Sequence, residues 1–309
     1  MATNVKEYSF KSTSGLADIY AKSYAPAEGD VKGVIQIAHG MAEHHERYEW
    51  FACLLCDAGY AVFINDHLGH GKSVTNDREL GFFGDRDGYL FLVDDMHILT
   101  GIAKKEYPGK PFILFGHSMG SFLARLYTEM YGNELTAAVY CGTAGSNPAA
   151  DMGVALINVI EKAKGNHFRS SFINNIAFGT YNKRTEQRTP FDWLSRDNAV
   201  VDKYIADKYC GFLFTTAGYR DLMKLLKAVN RSDWYTAVPA DLPIYLIAGS
   251  EDPVGAYGKG VTEVYSTLLD SLHTDVTVKL YPGDRHEILN ELDKDTVVAD
   301  LIAWIDSKI

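Results

Sequence analysis

The chain has 309 residues, 47% of them hydrophobic and 23% charged, with a formal net charge of −10. That is ordinary globular composition, long enough for one large α/β domain or two modest ones, and the acid excess argues against nucleic acid and against adsorption to anionic membrane through a basic face. No apolar run of about 18 residues occurs, and the start Met1-Ala2-Thr3-Asn4-Val5-Lys6 lacks the apolar core of a secretory signal, so a cytoplasmic protein is expected.

Apolar, β-rich runs recur at about 5–10, 17–24, 33–38, 60–65, 111–116, 136–141, 243–249 and 275–281. The first two alternate loosely, as exposed antiparallel strands do, whereas Val34–Ala38 and Pro243–Ala248 read as buried on both faces. Helix-length periodic segments at 47–58, 88–106, 121–131, 255–271 and 294–307 fall between most of the later runs. Strands alternating with helices imply right-handed crossovers and an eight-stranded, mostly parallel sheet flanked by helices.

The stretch between the sixth and seventh runs is too long for one crossover. Residues 144–232 therefore read as an inserted helical cap, with helices near 150–163, 200–208 and 216–229, leaving 1–143 and 233–309 as the core. Such an insertion sits above the carboxyl ends of the strands, where ligands bind in open α/β sheets. It carries Phe168, Phe172, Phe178, Tyr181, Phe191, Trp193, Phe212, Phe214 and Tyr219. About a third of these are expected to line an apolar acyl pocket, the rest forming the insertion's own core.

Residues 116–120 read Gly-His-Ser-Met-Gly, preceded by the apolar run 110–115 and followed by Phe122, Leu126 and Met130 at helical spacing, up to Gly132. Strand, Gly-x-Ser-x-Gly, helix is a nucleophile elbow, which exposes Ser118 on a turn too sharp for side chains. A serine hydroxyl is a poor nucleophile near neutral pH and needs a base. In the order this elbow implies, an acid follows the seventh strand and a histidine the eighth, which selects Asp252 in Gly249-Ser250-Glu251-Asp252-Pro253 and His286 in Pro282-Gly283-Asp284-Arg285-His286. Glu251 is the competing acid, Asp284 is expected to be a solvated or turn-capping carboxylate, and His117 a packing or hydrogen-bonding neighbour. The backbone N–H groups of Met119 and Met41 are the expected oxyanion donors.

Other motifs fail on spacing. Cys53-x-x-Cys56 lies in a helical run with no second pair to complete a zinc site. His39, His44, His45, His67 and His70 are close in sequence, yet His45-Glu46-Arg47-Tyr48-Glu49 lacks the second histidine of a metalloprotease helix, and Asp66–His70 also reads as a turn. Gly71-Lys72-Ser73 lacks the leading glycine of a phosphate loop, because position 66 is Asp. No metal is expected.

Taken together, the chain resembles the monoglyceride lipase and lysophospholipase-like branch of the α/β hydrolases. The resemblance rests on His39-Gly40-x-x-Glu43-His44-x-x-Arg47-Tyr48, Asp66-His67-x-Gly69-His70-Gly71-x-Ser73, the elbow, Gly249-Ser250-x-Asp252-Pro253 and Arg285-His286-Glu287, in family order across nearly the whole chain. It implies the α/β-hydrolase fold, Ser118 as nucleophile with Asp252 and His286, Met41 and Met119 as oxyanion donors, a lid over an acyl tunnel, and no cofactor. Phe191-Asp192-Trp193-Leu194-Ser195-Arg196-Asp197 looks like bacterial members often labelled lysophospholipases. Ser121 stands where many relatives carry Gly or Ala, and little effect is expected from it. The expected activity is hydrolysis of monoacylglycerol-type or similar single-acyl lipid esters. Short-chain carboxylesterase and lysophospholipase come next, then aryl or feruloyl esterase and aminopeptidase, and last a non-catalytic ligand binder. The cap leaves room for transient membrane or micelle contact and for a homodimer.

Overall fold

The apolar runs become eight strands of a single sheet in a computed structural model that describes residues 3–148 and 150–309; Met1, Ala2 and Ala149 lie outside the described residues. Strand β2 (Asp18–Pro26) largely alternates between sheltered and more open side chains, whereas β1 (Thr3–Lys11) is exposed over Asn4–Glu7 and alternates only from there on. Strands β3 (Gly33–Ala38), β4 (Tyr60–Asn65), β5 (Phe112–His117), β6 (Ala137–Cys141) and β7 (Ile244–Gly249) are buried throughout, and β8 (Val276–Tyr281) is a half-buried edge. The order is β1-β2-β4-β3-β5-β6-β7-β8. β2 pairs antiparallel with both β1 and β4, and all other pairs are parallel. This is the α/β-hydrolase fold.

Period-two alternation along the buried strands feeds two separate cores. Ile113 and Phe115 of β5 pack with Phe51 and Leu55 of α1 (Glu49–Asp57) and with Val297 and Leu301 of α9 (Lys294–Asp306). Leu114 points the other way, joining Met96 of α2 (Gly88–Glu106), Leu123 of α3 (Met119–Tyr131) and Val264 of α8 (Lys259–Asp270). The chain leaves β3 for β4 on one side and returns to β5 on the other. The carboxyl ends of β3 and β5, where Ala38 pairs with Gly116, are thus the topological switch point at which such sheets bind ligands.

Residues 142–243, between β6 and β7, hold α4 (Ala150–Lys164), α5 (Ser171–Phe178), α6 (Asn198–Ala206) and α7 (Thr216–Ala228). α4 packs on α7, which packs in turn on α2 and α3. Helix α5 has no counterpart among the predicted helices: its eight residues are too few for periodicity to register, although Ser170 caps it by accepting from Ile173 N–H. Helix α8 starts four residues later than predicted, because Ala256, Tyr257 and Gly258 adopt positive φ of 50°, 59° and 85°. No helix among the described residues is long and apolar enough to cross a membrane.

Candidate active site

The elbow between β5 and α3 is built by what its glycines omit. A Cβ on Gly116 would lie 2.2 Å from Gly120 O and 2.8 Å from Ala124 Cβ, and one on Gly120 would lie 2.0 Å from Ala38 O. Ser118 between them sits at φ 55°, ψ −121°, outside the allowed basins for a non-glycine residue. Such strain costs on the order of 1–3 kcal/mol and persists only where the surroundings over-determine it. Here Ser118 N–H donates to Cys141 O (2.9 Å), and Ser118 O accepts from Ser121 N–H (2.8 Å) and from the Ser121 hydroxyl (2.6 Å). Ser121 therefore contributes a bond to the elbow that Gly or Ala could not. The Ser118 side chain is half-buried on the wall of a large cavity.

The loops after β7 and β8 bring Asp252 and His286 together. Asp252 is fully buried, with Oδ2 2.9 Å from His286 Nδ1 and Oδ1 accepting from Val254 N–H. In this contact Nδ1–H donates to the carboxylate and Nε2 points away from it. Nε2 is buried and has no hydrogen-bond partner, so the Ser118 hydroxyl does not engage it in this state. Gly142, at φ 61°, passes against the ring: a Cβ there would stand 3.1 Å from His286 Cε1 and 3.3 Å from Nδ1. Glu251 turns outward and faces Arg184 at 3.5 Å.

Asp284 departs from expectation. It is not solvated; it is fully buried and ion-paired with Arg196, a residue of the insertion. Burial, reinforced by Asp293 and Glu291, raises its pKa to about 7.

The loop after β3 runs beside Ser118, close enough that a Cβ on Gly40 would lie 3.1 Å from Ser118 Cβ. Each peptide of this loop is held. Gly40 N–H donates to Glu43 Oε1 (2.5 Å), Gly40 O accepts from His39 Nδ1–H (2.8 Å), and Ala42 N–H donates to His70 Nε2 (3.3 Å). Because N–H and C=O of a trans peptide point in opposite directions, fixing Gly40 O also fixes the Met41 N–H. Met119 N–H is the first of α3 and has no preceding helical carbonyl to bond. Met41 and Met119 line the same cavity as Ser118 and His286.

The histidines work as hydrogen-bonding scaffolding. His39 Nε2 accepts from His67 N–H (3.0 Å), and His67 Nε2–H donates to His39 O (3.2 Å). Burial holds the pKa of His39 and His67 well below the usual imidazole range and lowers that of His70 to about 4. Gly71-Lys72-Ser73 wraps a carboxylate: Asp66 accepts from Lys72 N–H (2.7 Å) and His45 N–H (2.8 Å), and a Cβ on Gly71 would collide with it at 2.3 Å.

One buried ionic group went unread in the sequence. Arg47 joins Glu43 (2.5 Å) to Glu287 (2.6 Å), and Tyr48 OH donates to Glu43 (2.8 Å) within 3.0 Å of His117 Nδ1. Burial opposes ionisation of Glu43, but Arg47 and His117 outweigh it and hold its pKa well below the carboxylate range. Burial likewise works to lower the His117 pKa, and the Glu43 contact outweighs it to give a net rise. The Glu-x-x-x-Arg spacing of Glu43 and Arg47 was the available signal, since residues four apart meet on a turn. The group links the β3 loop, the elbow and the residue after His286.

The cavity above these residues measures about 760 Å³, within the range of small-molecule sites. Of the nine aromatics named above, five line it, Phe178, Tyr181, Phe191, Trp193 and Phe212, which is more than the third expected, and Tyr204 of the same segment joins them. Phe168 and Phe172 face outward, while Phe214 and Tyr219 are buried in the core.

Residues 29–293 match the family described as Serine aminopeptidase, S33. The monoacylglycerol lipase of Mycolicibacterium smegmatis is 31% identical over 98% of both chains, and the human monoglyceride lipase 28% identical over 94% of this chain and 87% of its own. Among solved structures, a highly thermostable carboxyl esterase from Bacillus coagulans in complex with glycerol aligns with a TM-score of 0.91 at 34% identity, covering 98% of each chain.

Proposed function

We propose, for a chain that belongs to the Serine aminopeptidase, S33 family of α/β hydrolases and is a carboxylic ester hydrolase, that Ser118 is the nucleophile, His286 its base and Asp252 the acid that orients the base. The observation that carries this is the Asp252–His286 pair, whose free Nε2 is buried beside the cavity that Ser118 enters on a strained turn. His286 Nε2 takes the Ser118 proton as Oγ attacks the ester carbonyl carbon. The N–H groups of Met41 and Met119 receive the developing oxyanion. Collapse of the tetrahedral intermediate breaks the bond to the alcohol, which leaves with the proton held by His286. Water then attacks the acyl-enzyme by the same route, releasing a carboxylic acid and free Ser118.

The substrate proposed is a single-acyl lipid ester of the monoacylglycerol type. An aromatic-lined cavity of about 760 Å³ suits one acyl chain, and relatives along the whole chain are named for this activity. Residues 144–232 would act as the cap that selects the chain. Helices α4 and α5 leave Met152, Val159, Phe172 and Ile176 exposed, an apolar surface suited to a micelle or membrane carrying the substrate.

The family description raises aminopeptidase as a second reading. A peptide ammonium needs a free carboxylate; Glu43 and Glu287 at the cavity are paired with Arg47, whereas Glu263, which also lines it, accepts from Ser146 N–H and has no ion pair among the described residues, so it is the group this reading would use. Asp192 and Asp197 are committed to Thr189 and to the α6 N-terminus, and Asp202 pairs with Arg188.

The test is a panel of esters from acetyl to stearoyl, with monoacylglycerols, lysolipids and amino-acid arylamides, on wild type, Ser118→Ala, Asp252→Asn and Glu251→Gln. Ser118→Ala should lower kcat by about 10⁴-fold or more. Equal activity in wild type and Ser118→Ala would sink the serine mechanism. A silent Asp252→Asn would remove Asp252 from it, and a maximum at two to four carbons would replace the lipid with a simple short ester.

A further inference from the structure

The segment Phe191-Asp192-Trp193-Leu194-Ser195-Arg196-Asp197 touches the candidate site without supplying any reacting group. Its backbone lies along the loop that carries His286. Trp193 O accepts from His286 N–H (3.3 Å), and the next residue's carbonyl, Leu194 O, accepts from the next N–H, that of Glu287 (2.8 Å). Two further fastenings bracket these bonds. Arg285 Nη1 reaches back to Asp192 O (2.8 Å) and Ser195 O (3.2 Å), and the Ser195 hydroxyl donates to Asn290 O (2.8 Å). The Trp193 ring stands 5.1 Å from the imidazole.

Arg196 closes the assembly. Its guanidinium bonds Glu291 (Nε, 2.9 Å), Asp293 (Nη2, 2.9 Å) and Asp284. Asp284 lies two residues before His286 and Glu291 five after it. Glu291 Oε1 also accepts from the backbone N–H of both Arg196 (3.0 Å) and Arg285 (2.9 Å), so one carboxylate holds the two segments side by side. Asp284 and Glu291 are buried, and Arg196 is the cation that all three carboxylates share. Burying like charges this close is tolerated only with such a counter-ion.

We propose that Arg196 is a positioning residue for His286, acting through a strap, residues 191–197, that belongs to the insertion but is fastened to the histidine loop. The proposal rests on His286 being the base. Without the Arg196 guanidinium both ends of the 284–291 loop lose their shared counter-ion while keeping their backbone bonds, and the imidazole keeps Asp252 as its side-chain hydrogen bond but samples more orientations. Arg196 does not line the cavity, so acyl binding is left alone. The consequence falls on the proton-transfer steps.

The experiment compares Arg196→Gln, Arg196→Lys and, as an exposed control, Arg231→Gln, whose arginine also bridges two carboxylates, Glu129 and Asp233. Each is assayed for kcat and KM on the best ester of the panel, with a thermal melt alongside. A displacement approaching 1 Å costs about 100-fold in rate, so Arg196→Gln should lose about 10- to 100-fold in kcat with KM within about twofold. Lysine keeps the charge but not the fork and should recover part of that loss. Arg231→Gln should keep wild-type kcat. A folded Arg196→Gln with wild-type kcat, or with only a lower Tm, overturns the proposal. Should Arg196→Gln fail to fold, Arg196→Lys decides: a several-fold loss of kcat at constant KM supports the strap, and wild-type kcat defeats it. An organophosphonate probe that labels wild type and Ser118→Ala equally would defeat the serine mechanism itself, which distinguishes that failure from a failure of the strap.

Discussion

Gly142→Ala separates the geometry of His286 from the stability of the fold. Gly142 sits at φ 61°, and a methyl group there would lie 3.1 Å from His286 Cε1, 3.3 Å from Nδ1 and 3.6 Å from Asp252 Oδ2. Carbon contacts settle at about 3.5–4.0 Å, so the ring must retreat by roughly half an ångström. If a misplacement of 1 Å costs about 100-fold, half of that predicts a loss of about tenfold in kcat. The positive φ adds about 1 kcal/mol of backbone strain, which lowers Tm by a few degrees. Gly15→Ala is the control, because Gly15 has φ 71° and nothing within 4 Å of its would-be Cβ. Both variants should melt a few degrees early, and only Gly142→Ala should lose activity. Equal, wild-type kcat in the two would show that the ring beside Gly142 is not a geometrically demanding base.

Two further outcomes follow from the surroundings. His39, His67 and His70 each accept a hydrogen bond on a ring nitrogen, from His67 N–H, Asn65 and Ala42 N–H, and protonation would abolish it. Their folded pKa values lie below the unfolded 6.5, so the stability they contribute is complete above that pH and is lost as pH falls toward the folded values. For His70, lowered to about 4, the loss approaches about 3 kcal/mol at roughly 1.4 kcal/mol per unit. The urea midpoint should therefore drop between pH 6.5 and 4, less steeply in His70→Gln, which keeps an acceptor for Ala42; a flat midpoint in wild type would refute this. On the insertion, Phe172→Ser with Ile176→Ser should reduce turnover of micellar long-chain esters several-fold and leave a water-soluble short ester unchanged. An equal effect on both substrates would deny α5 a role at the lipid surface.

What could be read from the chain follows from how far apart the interacting residues are. The buried strands declare themselves because a continuous apolar run of six residues has few other uses, and the sheet order then places Ser118, Asp252 and His286 at the ends of β5, β7 and β8. Asp284 was misjudged because its partner, Arg196, is 88 residues away, and nothing local distinguishes a carboxylate in a tight turn from one about to be buried. The start of α8 was missed because the left-handed backbone falls on Ala256 and Tyr257, residues that give no warning of it.

The insertion shows the same limit in its aromatics. Phe212 lines the cavity and Phe214 does not, though they are two residues apart and of one kind. Phe214 is instead buried against His70 and Phe83, partners more than 130 residues away, a long-range packing outcome that composition does not encode. The elbow differs in degree, because part of its constraint is local: a Cβ on Gly116 would strike Gly120 O, and Ser121 holds Ser118 O, while Ala38 O and Cys141 O add the contacts from other strands. Local constraint makes the elbow legible from sequence, whereas the helices of residues 144–232 are placed, through α7, by contacts with α2 and α3, which lie far away in the chain.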